Sequence, residues 1–163
     1  MNKILMAGLM LAFSVISHAD LITGRVVSVT DGDTITILDN TNTQHKIRLA
    51  GIDAPEKNQA FGAASKKSLS DLDYGQQVTV EWNKHDRYGR RVGKVIVNGM
   101  DINLEQIKRG MAWFYKRYQN ELSRQDRISY ADAQDYAKQG RLGLWADSNP
   151  IPPWDFRKQN KNK

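Results

Sequence analysis

The chain has 163 residues, of which 24 are Lys or Arg and 18 are Asp or Glu, and it contains no cysteine. That length suits one domain with a real core. The absence of cysteine excludes disulfide frameworks, iron–sulfur clusters, cysteine-ligated zinc and thiol catalysis. Only three histidines are present, so a histidine-rich metal centre is not expected, and the net charge of +6 favours a polyanionic partner.

The first 19 residues have the pattern of a secretory signal peptide. Lys3 provides a positive charge, residues 4–16 are apolar and uncharged, and Ser-His-Ala at 17–19 places small residues where a signal peptidase reads. The alternative is a membrane anchor, but this run is shorter than the roughly 20 residues that a span needs. We expect cleavage after Ala19, export to the periplasm or the outside, and a mature chain that is not membrane-bound.

The mature chain predicts five short strands and three helices. Runs of β-branched or alternating apolar residues predict strands at residues 22–30, 34–38, 44–50, 76–82 and 92–97. Helical patterns cover residues 59–72, 101–108 and 122–139, with Asp101 as a cap and Gly140 as a stop signal. A helix after the third strand and helices at the end fit an α+β plan. The expected fold is a five-stranded Greek-key OB-fold barrel with three helices.

The end of the chain differs in composition from the rest. Residues 150–154 read Pro-Ile-Pro-Pro-Trp, which argues against a helix or a central strand. A basic tail follows at residues 155–163, so the domain is expected to cover residues 20–154. We expect the tail to be solvated and disordered; a non-specific attraction to phosphates is its alternative role.

Charged residues concentrate in four segments at the ends of predicted strands. They are Asp-Gly-Asp-Thr at 31–34, Arg48, Asp-Ala-Pro-Glu at 53–56 and Asp-Arg-Tyr-Gly-Arg at 86–90. Each alone has a structural explanation, as a turn, a surface charge, a helix cap or a solvated hairpin. Together they offer hard oxygens for calcium or magnesium, paired guanidiniums for a phosphate, and a glutamate that can activate water. These are the parts needed to hydrolyse a phosphodiester.

In this order and spacing the segments resemble the thermonuclease (micrococcal-nuclease-like) family. Gly-Leu-Trp at 143–145 and the Ile-Pro-Pro-Trp tail add to the likeness, which extends from about residue 22 to residue 154. The resemblance implies a calcium-dependent nuclease of low sequence specificity that attacks phosphorus with water and leaves 3′-phosphate and 5′-hydroxyl ends. Because water is the nucleophile, both DNA and RNA would be substrates, with single strands preferred.

The resemblance also implies how a metal would be held. One calcium ion would be bound by the carboxylates of Asp33 and Asp53 and by the backbone carbonyl of Ala54. Asp31 would be an outer-sphere acid near the metal.

The catalytic and substrate-binding roles follow from the same likeness. Glu56 would be the general base, and Arg48 and Arg90 would bind the scissile phosphate. Residues expected to contact the substrate elsewhere are Arg87, Tyr88 and the candidate base-stacking residue Tyr115.

Two other functions stay open at this point. One is a non-catalytic OB-fold module that binds nucleic acid or a protein, because a fold does not settle a function. The other is a structural domain stabilised by calcium. Degenerate copies of the family typically lose the acids or the arginines, whereas this chain has all of them. We expect a monomer.

Overall fold

The structure is a computed structural model that describes residues 19–161. The predicted signal peptide therefore lies outside the described residues except for Ala19, and so do the last two residues of the tail. Within the described range, no helix is both long and apolar enough to cross a membrane.

Five strands form a closed barrel, which confirms the predicted α+β barrel. These strands are β1 (Asp20–Asp31), β2 (Thr34–Leu38), β3 (Gln44–Leu49), β5 (Gln77–His85) and β6 (Arg91–Val97). They pair in the order β3-β2-β1-β5-β6, and a parallel pairing of β3 with β6 closes the ring. Three short strands lie outside it: β4 (Ile52–Asp53), β7 (Met100–Asp101) and β8 (Trp113–Phe114). The residues between the third predicted strand and the first predicted helix, for which no helix or strand is predicted, contain β4, which pairs with β8.

The barrel interior is aliphatic because alternate residues of each strand point inward. Ile47 and Leu49 of β3 are almost fully buried, whereas Lys46, which precedes them, is exposed, as the alternation predicts. The same pattern buries one side of each neighbouring strand; the residues that complete this core include Val26, Ile35, Ile37, Val78, Val80 and Val95.

The described residues contain four α-helices, one more than the sequence predicts. These are α1 (Gly62–Asp73), α2 (Ile102–Lys108), α3 (Arg124–Gln139) and α4 (Pro153–Lys161). The predicted cap of α2 is confirmed, since the Asp101 side chain accepts a hydrogen bond from the N–H of Leu104 at 3.0 Å. The third helix begins at Arg124 rather than at Leu122, because the Ser123 hydroxyl caps it.

The predicted non-helical, disordered tail is wrong. Helix α4 begins at Pro153, and Trp154 lies in its first turn. A proline at the first position of a helix is favourable, because its fixed φ suits the helix and its missing N–H would have no partner there. The proline run therefore ends at a helix start, and it does not exclude the helix that follows.

Candidate active site

The turn between β1 and β2 holds Asp33. The Asp31 side chain accepts a hydrogen bond from the backbone N–H of Asp33 at 3.1 Å, a bond typical of aspartate turns. Gln106 of α2 donates its side-chain amide to the carbonyl of Gly32 at 2.8 Å. The turn is thus fixed from both sides, and Asp33 is only 6% exposed.

The second acid lies on the short strand β4. Asp53 pairs with Trp113 of β8 and is 2% exposed. The next residue, Ala54, donates its backbone N–H to Asp33 Oδ2 at 2.7 Å. Two loops that are separated in sequence are therefore joined directly at their acids.

Arg48 lies between the two carboxylates. Its Nη2 atom is 3.2 Å from Asp33 Oδ2 and 3.2 Å from Asp53 Oδ1. Nη1 donates to the carbonyl of Leu49 at 3.0 Å, so the guanidinium is held against its own strand. The inner alternation of β3 places Ile47 and Leu49 in the core and Arg48 toward the acids.

The β5–β6 hairpin brings Arg90 to the same rim. Asp86 Oδ1 accepts the backbone N–H groups of Tyr88 and Arg90, at 2.9 and 3.0 Å, and Asp86 Oδ2 accepts from Arg90 Nε at 2.7 Å. Arg90 Nη1 donates to the Thr34 hydroxyl at 3.3 Å, and that hydroxyl donates to Asp33 Oδ1 at 3.1 Å. Thr34 thus connects the second arginine to the first acid.

Tyr88 and Arg87 lie at the exposed tip of this hairpin. The Tyr88 ring is 68% exposed. The guanidiniums of Arg87 and Arg90 lie 4.8 and 5.4 Å from its ring centre, which are cation–π distances. The tip is therefore a small cationic surface next to the acids.

Glu56 is bound by an arginine that sequence reasoning assigned to the disordered tail. Arg157 of α4 donates from Nη1 to Glu56 Oε1 at 2.7 Å and to Asp53 Oδ1 at 3.2 Å. Its Nη2 donates to Asp53 Oδ2 at 2.7 Å. The loop and the tail are also tied by Gln59, which accepts from the N–H of Glu56 and donates to the carbonyl of Ile151.

Burial opposes the charges of the two central acids. Desolvation raises the pKa of Asp33, and Arg48 beside it counteracts the rise. Desolvation also raises the pKa of Asp53, although hydrogen bonds from Arg157 and the charge of Arg48 pull it down. The hairpin acid differs: its partial burial is outweighed by the hydrogen bonds from Arg90, so the pKa of Asp86 is lowered. The two central carboxylates therefore need positive charge nearby.

Tyr115 lies in an aromatic cluster beside the site. Its ring stacks on Trp154 of α4, with centres 5.1 Å apart and planes inclined by 10°. Tyr118 packs edge-on against it at 4.9 Å, and Trp113 packs edge-on against Trp154 at 5.5 Å. The ring of Tyr115, predicted to stack on a base, is therefore already in contact with Trp154 and Tyr118. In this structure Tyr115 packs α4 against the domain.

The chemistry of the acid pair fits a hard divalent cation. Calcium and magnesium prefer carboxylate, carbonyl and water oxygens, and the buried carboxylates of Asp33 and Asp53 offer the first kind. Within residues 19–161, no three His, Cys, Asp or Glu side chains are grouped as a metal centre. Further ligands would therefore be backbone carbonyls and waters, and an arginine would have to release carboxylate oxygens.

The structure brings most of the predicted site residues together. Asp31, Asp33, Asp53, Arg48 and Arg90 form one chain of hydrogen bonds through Thr34 and Ala54, and Glu56 joins it through Arg157. Sequence reasoning missed the contribution of the tail. The signal that could have found it is Pro153 as a helix start, which places Trp154 and Arg157 one turn apart.

A barrel that carries buried acids and arginines on one rim has the parts expected of a hydrolase of phosphate esters. The family model described as staphylococcal nuclease homologue matches residues 46–147 of this chain. The chain belongs to that family.

Relatives that match most of this chain agree with this assignment. An uncharacterized endonuclease of Haemophilus influenzae is 48% identical over 162 residues, which cover 98% of this chain and 88% of the relative. A micrococcal nuclease of Shigella flexneri is 40% identical over 170 residues, which cover 96% of this chain and 91% of the relative. An uncharacterized endonuclease of Escherichia coli is 41% identical over 135 residues, covering 82% and 84%. The predicted family and enzyme class, a phosphodiester-hydrolysing nuclease, are confirmed.

Proposed function

We propose that the protein is a calcium-dependent nuclease that hydrolyses DNA and RNA by attack of water and leaves 3′-phosphate ends. One observation carries the proposal: Arg48 bridges the two buried acids Asp33 and Asp53, and Thr34 connects Arg90 to the same acids. Carboxylates for a cation and guanidiniums for a phosphate are thus within one hydrogen-bonded network.

Arg90 is prepared to bind a phosphate oxygen. Arg90 Nε donates to Asp86 and Nη1 donates to Thr34, and these two hydrogen bonds fix the plane of the guanidinium. Among the described residues, Arg90 Nη2 makes no hydrogen bond, so it is the atom that would donate to a phosphate oxygen. Positioned donors of this kind stabilise the charge that grows on phosphoryl oxygens.

Glu56 suits the role of proton acceptor. Its side chain is 40% exposed, so water reaches it, unlike the carboxylate of Asp53. When bound, a divalent cation would neutralise phosphoryl charge and favour a deprotonated water. Glu56 would take the proton from that water once its oxygen is released by Arg157.

The surface beside the site suits a nucleic-acid strand. A cavity of about 400 Å³ lies between β8, α3 and α4, and none of the described residues that line it is acidic. Its basic lining residues are Lys116, Arg117, Lys138 and Lys158. Single-strand binders combine positive charge with aromatic side chains on which bases stack, and this cavity has both, which supports the preference for single strands.

The test is cleavage with and without metal. Purified protein is incubated with heat-denatured DNA and with RNA, first in calcium and then in excess chelator. We expect cleavage of both substrates in calcium alone. Arg90→Ala and Glu56→Gln should each slow cleavage by about 10²–10³-fold, whereas Lys67→Gln, at an exposed ion pair on α1, should not. Binding of DNA without cleavage would instead support the binding module.

We also propose that the protein is exported and acts as a monomer. Cleavage after Ala19 would leave β1 intact, because the strand begins at Asp20 and pairs there with Trp82. Mass spectrometry of protein from the periplasm or medium should show Asp20 as the first residue, and light scattering should give the mass of one chain. A retained residue 1 would contradict the export.

A further inference from the structure

The C-terminal helix α4 is firmly attached next to the acids. Trp154 stacks on Tyr115 and meets Trp113 edge-on, and Pro153 is buried. Arg157 follows Trp154 by three residues, which places both side chains on neighbouring parts of one helix face. The aromatic contacts therefore aim Arg157 at the site.

Guanidiniums occupy both oxygens of Asp53. Arg157 Nη2 binds Oδ2 at 2.7 Å, and Oδ1 is shared by Arg157 Nη1 and Arg48 Nη2, each at 3.2 Å. Three of the roughly four acceptor sites of the carboxylate are thus in use, and a cation that takes Asp53 as a ligand would be repelled by both guanidiniums while they remain in these positions. We therefore expect one of them to leave.

Arg157 is the arginine that can leave. The Arg48 side chain is 17% exposed, and it lies on a central barrel strand with a bond to the carbonyl of Leu49. The Arg157 side chain is 40% exposed and belongs to the last helix of the described chain. Its contact with Glu56 is open to water, so hydration can compensate the loss of that contact. Asp53 is buried, so a cation would have to replace Arg157 there.

The charge balance also favours an exchange. Asp33, Asp53 and Glu56 together with Arg48 carry a net charge of −2 when ionised, which one divalent cation neutralises. With Arg157 present, half of that charge is already compensated. A cation and Arg157 held at the same carboxylates would repel each other.

We propose that Arg157 is a built-in counter-cation of the acid site, and that a divalent cation binds Asp53 only after Arg157 withdraws from it. Helix α4 thus sets the metal affinity of the enzyme. The inference rests on the metal requirement of the proposed function. The apparent Kd is the intrinsic Kd divided by the fraction of molecules in which Arg157 is withdrawn.

The first test measures calcium binding by titration calorimetry on metal-free protein. Arg157→Gln should bind calcium at least about fivefold more tightly than the parent, the factor expected if Arg157 is withdrawn in one molecule of five. Arg157→Lys keeps the charge but loses the paired donors of the guanidinium, so its calcium affinity should lie between those of the parent and Arg157→Gln. Lys161→Gln is the matched control, since it removes one charge from the exposed end of the same helix, outside both the acid site and the basic cavity, and it should bind calcium like the parent.

A second measurement uses the parent protein and does not depend on the folding of a variant. Hydrogen exchange of the α4 amides is compared in calcium and in chelator, and we expect faster exchange in calcium. If Arg157→Gln binds calcium no more tightly than the parent, or if the exchange of α4 does not change on metal binding, the proposed role of Arg157 is wrong. The proposal of a metal-dependent nuclease is not affected by either result. No calcium binding in any variant overturns both.

Discussion

The backbone N–H of Ala54 lies 2.7 Å from Oδ2 of Asp33 and joins two acid-bearing loops that are 21 residues apart in the sequence. A backbone donor cannot rotate away, so this bond sets the distance between Asp33 and Asp53 within narrow limits. The two acids are preorganised by the barrel, which is what a site built from few ligands requires.

Gly32 is the first position at which this preorganisation can be tested. A methyl group at residue 32 would overlap the Ser65 hydroxyl and lie 2.8 Å from the Cβ of Ala54. We predict that Gly32→Ala destabilises the fold by about 1–3 kcal/mol, the usual cost of overpacking, and weakens calcium binding by moving Asp33. Urea unfolding and calorimetry measure the two effects.

The control for Gly32→Ala removes the Ser65 hydroxyl, with which the added methyl group would overlap. Ser65→Ala should restore part of the lost stability in the double variant, because the overlap with the hydroxyl disappears while the close approaches to the Cβ atoms of Ala54 and residue 65 remain. The single variant Ser65→Ala loses a bond to the carbonyl of Met111 and must be measured alongside. Strict additivity of the two changes would contradict the steric explanation.

Arg48 allows charge to be separated from geometry. Arg48→Lys keeps one positive charge but cannot reach Asp33, Asp53 and the carbonyl of Leu49 together. We predict a loss of about 10²–10³-fold in kcat/KM on denatured DNA. Lys46→Gln, two residues earlier on the same strand and exposed, should keep the parent rate. A lysine variant with full activity would show that only the charge matters.

The barrel could be predicted because each of its strands has a recognisable pattern of β-branched or alternating apolar residues. The alternation around Ile47 and the cap at Asp101 depend on neighbours in sequence, and the structure places both as expected. The acids and arginines between residues 31 and 90 were recognisable for a different reason: each segment alone has a structural explanation, and only their order and spacing together resemble the family.

The contribution of the tail could not be predicted in this way. Arg157 meets Asp53 across 104 residues, and no local pattern encodes a contact at that separation. The proline run led to the prediction of a non-helical tail, but its last proline, Pro153, is the first residue of a helix. Arg157 was not singled out because basic residues are common near the ends of chains. Thr34 was also missed as a connector, because its hydroxyl acquires two partners only when β2 and the β5–β6 hairpin meet.

Asp86 should matter for the reaction through Arg90. Asp86→Asn retains an oxygen for the backbone N–H groups of Tyr88 and Arg90 but loses the charged bond to Arg90 Nε. We predict a fall of about tenfold in kcat, equivalent to ~1.4 kcal/mol, because the guanidinium is no longer fixed in its plane. Steady-state kinetics with a short DNA substrate measures it.

A similar loop acid is available as a control for Asp86. Asp39 accepts the backbone N–H groups of Thr41 and Thr43 in the β2–β3 hairpin, and it binds His45. Asp39→Asn should lower stability and leave kcat unchanged, because its partners lie outside the site. Equal kcat values for Asp86→Asn and the parent would mean that Arg90 does not depend on its carboxylate partner.

Asp73 at the end of α1 should make the stability of the protein depend on pH. The residue is fully buried, and neither carboxylate oxygen has a hydrogen-bond partner among the described residues. Desolvation raises the pKa of Asp73 from 3.8 to about 7. The folded state then holds a proton that the unfolded state releases, so the free energy of unfolding falls as the pH rises from about 4 to about 7. The shift corresponds to at most about 4 kcal/mol.

Asp73→Asn should remove this dependence, because a neutral amide replaces the protonated acid at the same size. We predict that the variant is more stable than the parent at pH 8 and similar to it at pH 4.5, when both are unfolded in urea. Asp71→Asn is the matched control on the same helix: its side chain is 52% exposed and, within residues 19–161, pairs only with Lys67, so the change should stay within about 0.5 kcal/mol at either pH. If Asp73→Asn lowers the stability equally at both pH values, the carboxylate is paired in solution and its burial is not the source of the pH dependence.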